Sequence, residues 1–86
     1  MIGIYITYEE TERLASIVKR VEIGLNSNGF STISEGLYVC GKDGLLNTYA
    51  FMEWVKSQND LTKSIKKIHA FQLDSISDFT NFVKNI

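Results

Sequence analysis

The first segment of the chain, Met1 to Tyr8, is apolar or small on both faces of a strand. Isoleucines alternate along it with glycine, tyrosine and threonine, so neither face of such a strand is strongly polar. Strands of this kind usually lie at the centre of a sheet, covered on both sides. We therefore predict a central first strand with two covered faces.

The second segment has the spacing of an amphipathic helix. Thr7-Tyr8-Glu9-Glu10 fits the S/T-x-x-E capping box, whose side chains bind the amide groups of a first helical turn. Asn28-Gly29 fits a helix end, because glycine readily adopts the left-handed conformation found there. Five apolar residues between these signals share one helical face: Leu14, Ile17, Val18, Val21 and Leu25. We predict a helix capped by Thr7.

Two short strands, Phe30 to Ser34 and Leu37 to Cys40, are predicted around a tight turn at Glu35-Gly36. The loop 41–44 contains two glycines without the Walker spacing, which favours a plain connection over a phosphate loop. The only cysteine, Cys40, is expected to be buried in its strand, since a free cysteine behaves as a small hydrophobic residue.

The second half of the chain repeats the helix–strand alternation. A helix is predicted from Leu45 to Ser57, then a short turn from Asp60, as its cap, to Lys63, then a strand from Ile65 to Leu73. The apolar face predicted for the helix is Leu46, Tyr49, Ala50, Trp54 and Val55. The strand pattern places His69, Phe71 and Leu73 on one face and Ile68 and Ala70 on the other. The tail, Ser75 to Ile86, has Phe79, Phe82, Val83 and Ile86 at helical spacing after a cap at Ser77 or Asp74.

The order βαββαβ with a short C-terminal element predicts an α+β, ferredoxin-like fold: a four-stranded antiparallel sheet with both helices on one face. A chain of 86 residues makes a single domain, 1–86. Such a small domain buries little surface, and the apolar tail must cover something. We therefore predict a homodimer. The fold hosts many activities and does not name one.

Composition and charge limit the classes of partner that the protein could bind, but they do not identify one. The net charge is −1, so the chain as a whole attracts neither nucleic acid nor an anionic membrane, although a local basic cluster would suffice for RNA. There is no run of about 20 apolar residues and no basic region ahead of the first apolar run. A single cysteine suits a reducing compartment. These features predict a cytoplasmic protein that does not use a membrane.

Few residues are candidates for chemistry. One histidine and one cysteine on separate segments form no metal-ligand cluster, so we predict no metal and no cofactor. Lys63, Lys66 and Lys67, close to His69, are the only basic concentration; they are either a solvated face or contacts to phosphate. The tyrosines offer stacking or hydroxyl chemistry, or are core residues with one hydrated end.

The run IKKIHAFQLDSISDFTNFVK contains a set of motif residues: Ile68, Ala70-Phe71, Asp74 and 77–80. They correspond to the D-I-R-A-F strand, the acidic turn and the S-D-F-T motif of the virulence-associated protein D (VapD) family, which the sequence resembles. Gly29-Phe30 and Tyr38-Val39 fit the family's G-F…Q-G-S-V-Y segment, so that the resemblance covers most of the chain from Val21 onward. It implies a toxin-like endoribonuclease, similar in fold and dimerisation to the small ferredoxin-fold nuclease of CRISPR adaptation systems.

The sequence departs from the family where chemistry is expected. The aspartate that usually ends the family's first strand is Thr7 here, and the serine of Q-G-S is Gly36. A neutral hydroxyl neither holds a metal ion well nor acts as a base, so Glu9 or Glu35 would have to supply the missing acid. Since Thr7 is predicted to be a helix cap, Thr7→Ala should cost about 1 kcal/mol of stability and spare any cleavage.

Two functions remain open. The first is a VapD-like endoribonuclease of a toxin–antitoxin type system, acting on RNA as a dimer. Its acid–base candidates are Tyr38, His69 and Glu35, with Lys63, Lys66 and Lys67 on phosphate, and His69→Ala or Tyr38→Phe should lower cleavage at least roughly tenfold. The second is a dimeric binding protein that has lost the chemistry and acts through an antitoxin or another protein partner.

Overall fold

A computed structural model describes residues 1–84 of the chain. Its elements are β1 (Ile2–Tyr8), α1 (Leu14–Ser27), β2 (Ser31–Ser34), β3 (Leu37–Cys40), α2 (Gly44–Lys56), α3 (Asn59–Ser64), β4 (Ile65–Gln72) and α4 (Thr80–Lys84). The strand bounds agree with the sequence prediction to within one residue, and the predicted short turn after α2 is the helix α3.

The four strands form one antiparallel sheet in the order β2-β3-β1-β4. The ferredoxin-like α+β fold is thus confirmed, and so is the central position of β1, which lies between β3 and β4. Ile4 of β1 pairs with Tyr38 of β3 on one side and with Ala70 of β4 on the other. β4 and β2 are the two edges of the sheet.

One face of the sheet carries the core, and the helices cover that face, as predicted. Every second residue of β1 points into it, and α1, α2 and α3 contribute the opposing apolar side chains. The buried set is Ile2, Ile4, Ile6, Ile17, Val21, Leu25, Phe30, Tyr38, Cys40, Phe51 and Leu61. Gly24 lets the Trp54 ring approach α1, because a Cβ at Gly24 would overlap with Cζ3 of Trp54. The predicted burial of Cys40 is confirmed.

The opposite face of the sheet is open, so the prediction that β1 is covered on both sides is wrong. We call the face that carries Tyr5, His69 and Phe71 the open face. Tyr5 is 46% exposed and Phe71 is 40% exposed. β1 therefore lacks polar residues on its second face because that face presents an aromatic surface to water. The sequence pattern does not distinguish such a surface from a face that is buried under another layer of the protein.

The start of α1 differs from the prediction. β1 pairs with β4 as far as Tyr8, and Glu9 N donates to Ser64 O at 2.8 Å. The residues of the predicted capping box therefore belong to the sheet and do not begin a helix. The helix begins at Leu14, whose N donates to Thr11 O at 3.1 Å, and no side chain caps it. Thr7 is therefore not a helix cap.

Thr7 lies instead within β1, opposite Lys67, with its hydroxyl oxygen buried and without a hydrogen-bond partner. An unpaired buried hydroxyl costs free energy, so Thr7→Val should raise the free energy of unfolding by about 0.5–1 kcal/mol. Urea unfolding at neutral pH measures this change. A loss of stability on Thr7→Val would show that the hydroxyl has a partner and would contradict this assignment.

The buried face of α2 also differs from the prediction. Of the predicted face, Trp54 and Val55 do pack against the core. Thr48 and Phe51 point into the core, whereas Leu46 and Tyr49 are 70% and 64% exposed. Apolar residues occur all round this helix, so its periodicity does not select a face.

Two predicted caps are replaced by other contacts. Asp60 lies inside the first turn of α3 and pairs with Arg20 of α1, which lowers the pKa of its carboxyl and ties α1 to α3. At α4, Thr80 N donates to the carboxylate of Asp78 at 2.8 Å, so Asp78 caps this helix rather than Ser77 or Asp74.

The C-terminal segment presents apolar side chains to solvent. Phe79, Phe82 and Val83 are 65%, 71% and 61% exposed, and the two phenylalanine rings meet edge to face with centroids 6.4 Å apart. Ile86, the fourth member of the predicted stripe, lies outside the described residues. In residues 1–84, none of the helices has the length and apolar character needed to span a membrane.

Candidate functional site

The structure separates two of the predicted catalytic residues. His69 pairs with Tyr5 and is exposed on the open face. Tyr38 pairs with Ile4 on the helix-covered face and is fully buried. Since the two side chains lie on opposite faces, Tyr38 and His69 do not form one site within this chain. Glu35 lies exposed in the β2–β3 turn.

The open face brings chemically useful side chains together on β1 and β4. Their register pairs Tyr5 with His69, Thr7 with Lys67 and Gly3 with Phe71. Directly opposite residues on one face of an antiparallel pair have Cβ atoms about 4.5–5.5 Å apart, and diagonal neighbours lie about 7–8 Å apart. We call Tyr5, Lys67, His69 and Phe71 the open-face cluster; all four are exposed. An imidazole, a phenol and an ammonium group therefore share one accessible surface.

Two glycines shape this surface. A Cβ at Gly3 would lie 2.5 Å from Cε2 and Cζ of Phe71, so the ring rests directly on the β1 backbone. Gly36 has φ +81°, and a Cβ at this position would lie 3.7 Å from Tyr5 Cε1 and 2.9 Å from Ile6 O. A serine at position 36 would clash with that carbonyl, so this turn does not accommodate the family's serine without moving.

The predicted basic residues lie at the end of β4 nearest to α3. Lys66 and Lys67 border a mostly apolar cleft of about 350 Å³ between β4 and the helices. Lys56 of α2 lies on the same rim, 3.4 Å from the Glu53 carboxylate. The sequence does not reveal that Lys56 joins this group, because it is distant from Lys66 and Lys67 along the chain. Lys63 is exposed in the last turn of α3. Lys67 thus joins this basic edge to the open-face cluster.

Tyr38 belongs to a second group of residues on the helix side. Its hydroxyl and that of Tyr8 are both buried, and neither makes a hydrogen bond of good geometry, although each is close enough to influence the other's pKa. Burial raises the pKa of Tyr8 and of Tyr38, and the nearby carboxylate of Glu22 raises both further. Raised values make both hydroxyls poor proton donors at neutral pH.

The adjacent helix-side cleft does not suit an RNA backbone. It has a volume of about 430 Å³ and is lined by Leu14, Ala15, Val18, Lys19, Glu22 and Glu35. Two carboxylates against one ammonium group make its lining net negative, which repels phosphate. Glu35 and Tyr38 are therefore near each other, but they lie at the helix-side cleft, which is less favourable for RNA than the open face.

The buried tyrosines predict a loss of stability at alkaline pH. The folded protein keeps Tyr8 and Tyr38 protonated above pH 10, where the unfolded chain releases these protons, so the free energy of unfolding should fall as the pH rises above about 10. Tyr8→Phe should weaken this pH dependence without destabilising the protein at pH 8. Urea unfolding of wild type and variant at pH 8, 10 and 11 measures the difference. Equal slopes for both proteins would contradict the assignment.

Within residues 1–84, no three histidine, cysteine or acidic side chains converge closely enough to hold a metal ion. The open-face cluster contains the groups of an acid–base site: a histidine, whose imidazole nitrogen can accept a proton, and a lysine that can contact phosphate.

Comparison with known proteins gives two relatives. No family model matches the sequence. The chain is 31% identical over 61 residues to "Endoribonuclease VapD homolog" of Neisseria gonorrhoeae, an alignment that covers 71% of this chain and 66% of that protein. It is 30% identical over 57 residues to "Endoribonuclease VapD" of Haemophilus influenzae Rd, with 66% and 63% covered. The matched region thus spans just under two thirds of each relative.

Proposed function

Because the chain belongs to the VapD family, we propose that it is an endoribonuclease that cleaves RNA on the open face of its sheet. The observation that carries the proposal is the juxtaposition of Tyr5, His69 and Lys67 on accessible strands. Both relatives are named as endoribonucleases. The helix-side cleft, with its two carboxylates, is the less suitable place for a polyanion.

His69 acts as the general base in this proposal. Its imidazole accepts the proton of a ribose 2′-hydroxyl, whose oxygen attacks the adjacent phosphorus. The bond from phosphorus to the 5′-oxygen breaks, and solvent water protonates the leaving oxygen on this exposed surface. The products are a 2′,3′-cyclic phosphate and a 5′-hydroxyl. Lys67, one row along the same face, stabilises the additional negative charge at the phosphoryl oxygens.

Incubation of homogeneous, chelator-treated protein with end-labelled single-stranded RNA tests the function. Cleavage that leaves 2′,3′-cyclic phosphate ends is expected without added metal. The assay is repeated with Mg²⁺ and with Mn²⁺, because activity that appears only with a metal ion would refute the His69 mechanism while leaving the assignment as a nuclease. No cleavage under any of these conditions would overturn the proposed function.

The active species is proposed to be a homodimer joined through the C-terminal segment. Phe79, Phe82 and Val83 are each more than 60% exposed on one short segment, and burying them against a second copy removes apolar surface from water. Control by an antitoxin is proposed from the family resemblance, and a cytoplasmic location is proposed from the single cysteine. Light scattering at micromolar concentration tests the dimer, and a monomer mass would refute it.

A second candidate function is binding without catalysis. Thr7 stands where the family's first strand usually ends in aspartate, and its hydroxyl is buried. Gly36 stands where the family has serine, at a left-handed backbone position with no room for a Cβ. Neither position offers a reacting group. Absence of cleavage together with tight binding to a protein partner would favour this function.

A further inference from the structure

We propose that the helix-side cleft binds a small organic cation, an alkylammonium ion whose charged end lies between the carboxylates of Glu22 and Glu35. The cleft runs along α1 and the β2–β3 turn, on the other side of the sheet from the open-face cluster. This inference is independent of the proposed cleavage of RNA, because it concerns neither that face nor that substrate.

The charged groups of the cleft favour a positively charged ligand. Glu22, Glu35 and Lys19 line it, so its charge is net negative. Within residues 1–84 neither of the two carboxylates forms an ion pair, since the pairs found there involve other side chains. Glu22 is half-buried, and the attraction between opposite charges is screened less at such a position than in bulk water. The cleft therefore holds negative charge that its own residues leave unpaired.

Two buried tyrosines beside Glu22 give a second, independent reason to expect a ligand. Tyr38 is 0% exposed, and the hydroxyl oxygens of Tyr38 and Tyr8 are buried without a hydrogen-bond partner. Burial raises the pKa of Tyr38, and the carboxylates of Glu22 and Glu35 raise it further, so the hydroxyl lies close to both charged groups of the cleft. Buried polar groups without a partner are rare in folded proteins, and each calls for an explanation.

A cation in the cleft gives these hydroxyls partners through Glu22. One oxygen of the Glu22 carboxylate accepts a hydrogen bond from the ammonium group of the ligand, and the other accepts one from the Tyr38 hydroxyl. The Tyr38 oxygen in turn accepts a hydrogen bond from Tyr8, so both phenols are satisfied. Tyr38 is a positioning residue in this arrangement, because it acts on the ligand only through Glu22.

The rest of the lining fits a short alkyl chain. Leu14, Ala15 and Val18 form the apolar part of the cleft, whose volume of about 430 Å³ is of the size found for small-molecule sites. A divalent metal ion fits less well, because it needs several oxygen ligands. Within residues 1–84 no three acidic, histidine or cysteine side chains converge to supply them.

Titration of the ¹⁵N-labelled full chain with n-butylammonium chloride, at constant ionic strength, tests the site by NMR. We expect saturable binding in the millimolar range, as suits a ligand of few atoms. The largest changes in amide chemical shift should occur at 15–22 and at Glu35. 1-Butanol, which has the same number of non-hydrogen atoms but no charge, should show no saturable binding.

Variants separate the roles of the carboxylate and the phenol. Glu22→Gln should weaken binding of n-butylammonium about tenfold or more, and Tyr38→Phe about threefold. In the Glu22→Gln background, Tyr38→Phe should have no further effect, whereas a merely structural role would weaken binding equally in both backgrounds. Glu53→Gln is the matched control, since Glu53 lies on α2 outside this cleft, and it should bind within about twofold of wild type.

Several results would overturn the proposed site. They are a titration with n-butylammonium that does not saturate, equally tight binding of 1-butanol, and a folded Glu22→Gln variant that binds like wild type. Displacement of the probe by Mg²⁺, with changes at the same amides, would also overturn it, because the cleft would then bind a metal ion. Melting temperatures identify a variant that fails to fold, and Glu35→Gln then carries the test in place of Glu22→Gln.

Discussion

His69→Ala is expected to lower RNA cleavage by about 100-fold, because a positioned general base contributes about 10²–10⁴ to the rate. His69→Gln should lose as much activity, since glutamine keeps a polar side chain but does not accept the proton. Both losses should appear in the rate at saturating RNA, with little change in affinity for an unstructured, fluorescein-labelled 2′-O-methyl RNA octamer, which lacks the attacking hydroxyl and is not cleaved. Single-turnover cleavage and anisotropy measure the two quantities.

Tyr38→Phe provides the matched comparison. Tyr38 is buried on the opposite side of the sheet, so this variant should change cleavage less than about twofold, unlike the reduction predicted from the sequence alone. If Tyr38→Phe abolished cleavage and His69→Ala did not, the helix-side cleft would be the active site and the open face would not.

Phe51→Ala should lower the free energy of unfolding by about 3–5 kcal/mol, the usual cost of removing a fully buried phenylalanine. Phe51 is 0% exposed between α2 and the sheet. Phe71→Ala should cost no more than about 1–2 kcal/mol, because 40% of Phe71 is already in water. Urea unfolding of both variants measures these two losses of free energy, and the difference between them shows that one face of the sheet is covered and the other is open.

Leu46→Ala is the control for Phe51→Ala and Phe71→Ala. Because Leu46 is 70% exposed on the outer side of α2, this substitution should leave the free energy of unfolding nearly unchanged. A cost for Phe71→Ala that equals that of Phe51→Ala would mean that the open face is covered in solution. If that cost also rose with protein concentration, a second copy would be the cover.

The sequence predicts the fold because local patterns decide most of it. The alternation in β1, the apolar spacing of α1 and the left-handed glycine at its end each agree with the observed elements, including Gly29 with φ +84°. The order of these elements admits few topologies, and the ferredoxin-like one is observed. The strand pattern also assigns His69 and Phe71 to one face correctly.

The failures have identifiable causes. The Thr7 capping box was misread because β1 runs on through these residues and pairs with β4, a long-range contact that overrides a local signal. Part of the buried face of α2 is mispredicted because apolar and aromatic residues occur all round this helix, so the spacing does not choose between Tyr49 and Phe51. The sequence does not distinguish a covered face of β1 from an open one, because aromatic residues occur both in protein cores and on binding surfaces.

The candidate site was only partly visible for the same reason. A sequence places Tyr38 and His69 on strands but does not decide that the two side chains point to opposite faces. That result depends on the pairing of β1 with both β3 and β4. Tyr5, by contrast, is recognised as a member of the open-face cluster only because the strand register places it opposite His69.

Titration of ¹⁵N-labelled protein with an unstructured 2′-O-methyl RNA octamer would locate the RNA-binding surface, because NMR reports on every backbone amide at once. We expect the largest chemical-shift changes at Gly3, Tyr5 and 67–71, with small changes along α1. Largest changes at Ala15, Val18 and Glu22 in the helix-side cleft, with the open face unaffected, would contradict it.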